Sequence, residues 1–579
     1  MVYLFFLFSL VTSFLFVSPK HFHAPFQKGV SLFFLLLFVY SYWKQKSKFQ
    51  SIVSIQKVFS WQNQNKILPY LVYLSGLCFI ITSSYHAYLL TQTFVDSFLF
   101  HDADYIGISD VLQSIAEGNW FESHYYSDSG NGSYLNHHFA PGMFFLSPFV
   151  QWIPNRYGLA VGVFFCYQLT TILWLAWAYQ VSIKSKSNVD LKFLLIWVIL
   201  TNQMYLYRIG SSYHFEILVV FIGFFFFYNW ERCKTLIAEG ETKFTKHLFL
   251  LGLFLILFLS QKEDIGFYLC LFFLPVFLVS LIDFVRNHSL KGILDALKNR
   301  DGFLILGILF TTVLYLGFVF FVFPFLNGSD SIFGWTHVLR QGYHSSFKQV
   351  TSVSKSIQIY LEVLISGGLG MIQLIPELLG ISLIYLTHLV STRPWHHEMY
   401  SYYSYSLLPF LLYSGIVWLK SKKEISLPIV YLILACLFWK NSMDQNFPLE
   451  AQSKQNWYDP KVQNEVREDL PYANGILQTE AGKVSSNITN QSIEQIVFSQ
   501  YNLSFFITEK VKLYPLEKLQ NKKEICDQTT LCYVVMAPEL TDTILWPKQR
   551  ILETFAESKT LEYQKIWQGK QIEVWKLTQ

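Results

Sequence analysis

YGLAVGVFFCYQLTTILWLAWAYQVS, residues 157–182, runs for twenty-six positions without a charged side chain. A helix rises about 1.5 Å per residue, so about twenty apolar residues cross a hydrocarbon core of roughly 30 Å. This stretch is long enough, and in lipid only a helix satisfies its backbone internally. Immediately upstream, residues 94–156 are its opposite, with seven carboxylates, four histidines and a single basic side chain, Arg156. A polar, acidic, His-bearing loop between apolar tracts is costly to hold at a bilayer surface unless it has work to do there.

Similar apolar runs recur along the first three quarters of the chain. The candidate spans are about 2–17, 29–43, 67–93, 157–182, 191–207, 213–230, 247–260, 265–283, 302–325, 357–376, 377–391, 402–419 and 425–440. The run 139–153 is short and broken by Pro141 and Pro148, and reads as re-entrant or interfacial. Run 2–17 lacks a basic leader and a small-residue cleavage site, and is expected to be an uncleaved span. Only 15% of the residues are charged and 52% are hydrophobic, where a soluble protein would be nearer a quarter charged. The expected fold is an α-helical polytopic membrane protein of about thirteen spans with a small soluble α/β domain at its carboxyl end. The net charge of +4 is small and suggests no nucleic-acid partner.

Basic residues are unevenly placed. One alternating set of loops, near 44–66, 184–192, 232–246, 286–300 and 420–423, holds nineteen Lys and Arg, and the opposite set holds about nine. The positive-inside rule puts the richer set in the cytoplasm, with the amino terminus inside and everything after about 441 outside. The unusual polar clusters then share the outer side: His101–Asp110, His137-His138, Arg208–Glu216, Gln261–Asp264, His337–His344 and Arg393–Glu398. Convergence on one cavity is the expectation. The chain divides into an amino-terminal two-span addition with its loop (1–66), a transmembrane domain (67–443) and an extracytoplasmic α/β domain (444–579). In that tail, Ile496–Thr508 and Leu531–Ala537 read as strands and Lys548–Glu562 as a helix. Cys526 and Cys532, with five residues between them in oxidising surroundings, can bridge or remain two free thiols. The other five cysteines lie in or beside apolar runs and read as packing residues.

Each polar motif has a chemical and an ordinary reading. In His101-Asp102-Ala103-Asp104 a carboxylate can act as a general base or bind a hard cation, or be a solvated loop or helix cap. In Asn136-His137-His138-Phe139-Ala140-Pro141 an imidazole can shuttle protons, bind phosphate or bind metal, or simply sit at the interface. Adjacent histidines on a helix point about 100° apart, so both need not meet one ligand. In Tyr213-His214-Phe215-Glu216 the His and Glu meet only in extended or irregular backbone. Lys262-Glu263-Asp264 is either a hairpin capped by exposed charges or a carboxylate pair lining a wet cavity. Arg393, His396 and His397, followed by Tyr400, Tyr402, Tyr403 and Tyr405, can bind a phosphate and stack on a sugar or isoprenoid, or form an aromatic belt. Arg340 and His344 are further cationic candidates. No phosphate-binding Gly loop, dinucleotide fingerprint, His-Glu-x-x-His or nucleophile elbow is present.

Taken in order, Asp104-Tyr105-Ile106-Gly107-Ile108, His138-Phe139-Ala140-Pro141, Tyr213-His214-Phe215-Glu216 and Lys262-Glu263-Asp264 resemble the domain-of-unknown-function family numbered 2079, over roughly residues 85–420. That family is similar to the GT-C superfamily of integral-membrane glycosyltransferases. The resemblance implies a GT-C-like fold, a sugar donor linked to polyprenyl phosphate, and a glycan, lipid or protein acceptor. It also implies a bacterial inner membrane with a periplasmic tail. It makes Asp104, or else Asp102, the general base. His137, His138, His214, Glu216, Lys262, Glu263, Asp264, Arg393, His396 and His397 become substrate-binding residues. Such an anionic site needs a cation, a proton or a positive ligand, which leaves a divalent metal ion open. A transporter or flippase of lipid-linked saccharides would also need a wet polar cavity. Transporters, however, usually show paired repeats and midplane charges. A sensor or scaffold acting through its tail would instead make residues 444–579 essential and Asp104 and His138 dispensable.

Overall fold

The computed structural model describes residues 20–47, 68–99, 103–123, 125, 133–153, 156–184, 189–201, 213–240, 245–287, 300–326, 375–389, 402–421, 425–443, 458–485, 495–508, 511–521, 525–526, 530–541, 548–557 and 563–577. The longer helices are α1 (Lys20–Ser47), α2 (Leu68–Asp96), α3 (Ala103–Ala116), α4 (Gly158–Lys184), α5 (Val189–Leu200), α6 (Ile217–Ala238) and α7 (Thr245–Leu259). They continue as α8 (Ile265–Asn287), α9 (Arg300–Gly317), α10 (Ile375–Leu389), α11 (Leu408–Lys420), α12 (Leu427–Met443), α13 (Pro460–Ser485) and α14 (Lys548–Glu557). The tail adds strands β1 (Gln495–Ser499), β2 (Lys512–Pro515), β3 (Leu531–Met536), β4 (Tyr563–Gln568) and β5 (Glu573–Leu577).

The protein is mostly helical, with a small sheet near its carboxyl end. By length and composition, three helices among the described residues can cross a membrane: Ala24–Lys44, Gly158–Ile183 and Gly302–Leu326. Thr245–Leu259, Ile265–Val279 and Leu427–Lys440 are apolar but shorter. Run 2–17 and most of run 357–376 lie outside the described residues. The run 139–153 is a 3-10 turn, Pro141–Leu146, followed by a six-residue helix, Ser147–Trp152.

The chain falls into two compact units. One comprises residues 1–87, 138–143 and 163–449, and the other 88–137, 144–162 and 450–579. The first is an aromatic-packed helical bundle. Phe227 of α6 stacks on Tyr413 of α11 at 4.4 Å, and Phe272 of α8 meets Phe410 at 5.1 Å. Glycines set the closest helix approaches: a Cβ on Gly380 would lie 2.9 Å from the Phe272 carbonyl oxygen, and one on Gly223 2.7 Å from Pro409 Cβ. Pro409 also opens α11, where its missing N–H costs no helical bond. At the other end of α11, the buried Lys192 amine donates to the carbonyl oxygens of Trp418 and Ser421, at 2.9 and 3.0 Å. A cation is favoured where helix carbonyls are left without partners.

The second unit is built on a five-stranded sheet of order β2-β1-β3-β5-β4, parallel across β2-β1-β3 and antiparallel across β3-β5-β4. Its central strand, Leu-Cys-Tyr-Val-Val-Met, is buried on both faces and reads as a continuous apolar run. The expectation of a strand over 496–508 needs correction. The strand stops at Ser499, and Gln500 turns the chain into a short helix, Tyr501–Ser504. Gln500 itself is the cause: its side chain donates to the Leu540 carbonyl and accepts from the Ala537 N–H, at 3.0 Å each, so the backbone is tied to the β3 exit. Cys526 and Cys532 form a disulfide. Arg156, at φ +59°, donates to the carbonyls of Ser504, Phe505 and Ile507 in this unit. Tyr105 in turn donates to the Arg156 carbonyl at 2.6 Å. The one basic side chain of the acidic loop therefore caps a turn of the tail.

Candidate functional site

Three helices of the first unit, α6, α8 and α11, begin in polar segments that lie together. Residues 213–216 form a turn ahead of α6, and this irregular backbone lets His214 Nδ1 come within 3.5 Å of Glu216 Oε2. Lys262, two residues before Asp264 and α8, reaches the other Glu216 oxygen at 3.3 Å. Ser406, just before α11, donates to Asp264 Oδ2 at 3.4 Å. Helix N-termini carry partial positive charge and unpaired N–H groups, which favour carboxylates at this end of the bundle.

The segment 138–143 completes the cluster. Its Gly142 N–H donates to the Ser260 carbonyl at 2.8 Å, and a Cβ at Gly142 would fall 2.1 Å from Gln261 Nε2. Only glycine lets the segment lie this close to the turn between α7 and α8. Phe139 anchors it, packing edge-on to Phe323 at 4.8 Å and to Phe318 at 5.9 Å. Phe318 opens a π-helical turn, Phe318–Val322, a local widening often found beside functional sites. So held, His138 Nδ1 donates to Glu263 Oε1 at 2.8 Å.

The charges balance internally. Burial opposes ionisation of Glu216, but the Lys262 ammonium and His214 overcome it and hold the carboxyl down at about 2. Burial would likewise pull the His138 imidazole down, yet the Glu263 carboxylate beside it raises it above its usual value. Glu263 is lowered in exchange, chiefly by His138 against the cost of burial. Asp264 is the exception. Burial pushes it up to about 6; Lys262 pulls it down, and the carboxylates of Glu263 and Glu216 raise it. The result is a buried carboxyl that exchanges its proton just below neutrality, set among fixed charges. One oxygen each of Glu263 and Asp264, and the Tyr315 hydroxyl, are buried there without a hydrogen-bond partner among the described residues.

The structure thus gathers His138, His214, Glu216, Lys262, Glu263 and Asp264. It does not gather all the expected residues. His137 belongs to the second unit, where its N–H donates to the Tyr134 carbonyl at 2.8 Å and its ring lies 6.0 Å from that of Tyr134. Asp104 also belongs to the second unit, in the first turn of α3, where a helix dipole favours it. Asp102, Arg208, Arg340, His344, Arg393, His396 and His397 lie outside the described residues. No group of three His, Cys, Asp or Glu among the described residues is arranged to hold a metal ion; Lys262, His138 and His214 meet these carboxylates. Sequence reasoning missed Ser406 and Tyr315, because a serine or tyrosine in a Ser/Tyr-rich chain gives no signal.

Residues 108–559 match the sequence family DUF2079, described as a predicted membrane protein. The chain belongs to DUF2079. The DUF2079 match takes in the bundle from α4 onward, its charged cluster and most of the sheet domain, and it begins after α1, α2 and Asp104. Together with the span-length apolar helices, membership of DUF2079 makes this a membrane protein. No curated protein and no solved structure matches the chain.

Proposed function

We propose that the protein is a GT-C-type membrane glycosyltransferase. It would transfer a sugar from a polyprenyl-phosphate-linked donor to an acceptor hydroxyl at the outer face of an inner membrane, within a bundle of about thirteen spans. The observation that carries this reading is the set His138–Glu263, Lys262–Glu216 and Asp264 at the converging starts of α6, α8 and α11, with Glu216 and Lys262 buried and the His138 side chain 39% exposed. Ionisable groups in an apolar bundle are expensive and mark a functional site by default. Their chemistry suits a phosphate leaving group: an imidazolium and an ammonium held in place, with carboxylates that orient them. In the proposed reaction Asp104, or Asp102, removes the proton from the acceptor hydroxyl. The freed oxygen attacks the anomeric carbon. The carbon–oxygen bond to phosphate breaks, its electron pair leaves with polyprenyl phosphate, and configuration inverts. His138 and Arg393, with His214, receive the leaving phosphate, and Glu216, Glu263 and Asp264 line the pocket.

The test is turnover of a polyprenyl-phosphate sugar by purified protein. Asp104→Asn should abolish product, and Glu263→Gln should reduce it with folding intact. Equal turnover by Asp104→Asn removes that residue from the mechanism. Movement of the intact lipid-linked saccharide across proteoliposomes without a covalent product would replace the reading with a flippase.

A further inference from the structure

At the opposite end of α6 the bundle opens a second polar cleft, of about 330 Å³, whose lining includes Trp177, Tyr228, Glu231, Arg232, Thr235 and Lys420. It lies near the carboxyl ends of α4, α6 and α11, the ends that run into Lys184, Lys243, Lys246, Lys422 and Lys423. Glu231 is buried and fully engaged. Tyr413 donates to it at 2.5 Å, Lys420 at 2.5 Å and Lys234 at 3.0 Å. One carboxylate therefore fixes two ammonium groups, and the surplus charge is positive. Arg232 adds to it. Its side chain lines the cleft and makes no hydrogen bond or ion pair among the described residues.

A half-buried guanidinium at a cleft wall, beside a lysine already held in place, presents a fork of donors matched to phosphate oxygens. The helix carbonyls that would repel an anion here are met in α11, because Lys192 takes those of Trp418 and Ser421. The rest of the wall mixes Trp177, Val181 and Tyr228 with the polar Gln180 and Thr235. Trp177 and Tyr228 meet edge to face at 5.5 Å, the amphipathic rings expected at headgroup depth. Further along α4, Ile183 is 65% exposed. The volume suits a headgroup, not a whole lipid.

We propose that this cleft binds the phosphate of an anionic membrane phospholipid, with Arg232 and Lys420 on the phosphate oxygens and the acyl chains lying along α4. Basic pockets between helices at a basic membrane face recognise anionic headgroups. This site shares no residue with the charged cluster and stands independently of the proposed reaction.

The experiment is a titration of full-length protein, in phosphatidylcholine vesicles, with fluorescent phosphatidylglycerol. Arg232→Gln should weaken binding by about tenfold or more, the loss expected when a charge-assisted hydrogen bond is removed. Arg232→Lys should fall between the two. Both variants should keep the wild-type unfolding temperature, since Arg232 holds no other described group. Displacement of the labelled lipid by inorganic phosphate supports a site that reads phosphate alone. Binding that resists phosphate but is lost in Arg232→Gln supports one that needs the chains as well. Equal binding by wild type and Arg232→Gln overturns the proposal. So does a wild type that binds phosphatidylglycerol no better than phosphatidylcholine.

Discussion

Lys262 stands where three carboxylates would otherwise repel one another, and the titration of its neighbours follows from that position. Asp264 has a folded-state pKa of about 6 against an ordinary 3.8. The folded protein therefore holds more protons than the unfolded chain between about pH 4 and pH 6, so the stability due to the neutral carboxyl is lost as pH rises through about 6, by on the order of 3 kcal/mol. Asp264→Asn keeps the neutral shape without the charge. We expect it to match wild type in thermal unfolding at pH 4 and to exceed it at pH 7. His138 behaves in the opposite sense to an isolated buried imidazole, because Glu263 keeps its charged form present above the usual range. Turnover that needs this imidazolium should fall as pH climbs through the raised His138 pKa. In Glu263→Gln the limb should move to lower pH, read from a pH–rate profile. At this scale the sequence was informative where charge interrupts hydrocarbon. Glu216, Glu263 and Asp264 stood out because carboxylates are rare in such runs. Ser406 and Tyr315 did not, since only the folded bundle makes them neighbours of an acid.

Among the helices, glycines decide how closely the bundle packs. A methyl group at Gly380 would meet the Phe272 carbonyl of α8 at 2.9 Å, against backbone that cannot rotate away. Gly307 in α9 has nothing within 4 Å of the same position. Gly380→Ala should destabilise the protein by about 1–3 kcal/mol through overpacking. Gly307→Ala should be neutral or stabilising by up to about 1 kcal/mol through helix propensity. Thermal unfolding of the two variants side by side checks both. The position of α4 was legible from apolar length alone: expected over 157–182, it runs from Gly158 to Lys184. The tail was less so. Its α13, Pro460–Ser485, is a mostly polar helix with Pro471 inside, which blurs the period of its apolar face. The strand expected to continue to Thr508 ends early because the Gln500 side chain, and not hydrophobic alternation, sets its exit.

For the whole molecule, the second unit assembles from distant pieces of chain. The side chain of Arg156 reaches three carbonyls of the 504–507 turn, and none of that is visible in either segment alone. Arg156→Ala should cost about 2–3 kcal/mol, the worth of charged hydrogen bonds lost from partly buried groups. Faster amide hydrogen exchange across residues 500–508, with the helical bundle unchanged, would register it. The disulfide gives a simpler check on the tail. Five cysteines are free and Cys526 and Cys532 are bridged. Maleimide labelling in denaturant should therefore add five labels to the oxidised protein and two more after reduction.

The reach of Arg156 also imposes an order on biosynthesis. Its first partner carbonyl, that of Ser504, lies 348 residues downstream. At about 5–20 residues per second a ribosome needs roughly 20–70 s to deliver it. Through that interval the Arg156 guanidinium lacks the turn it will clasp. The sheet domain is thus the last step of assembly and the one that closes the loop. A nascent chain stalled before residue 504 should carry that loop as its most protease-sensitive segment.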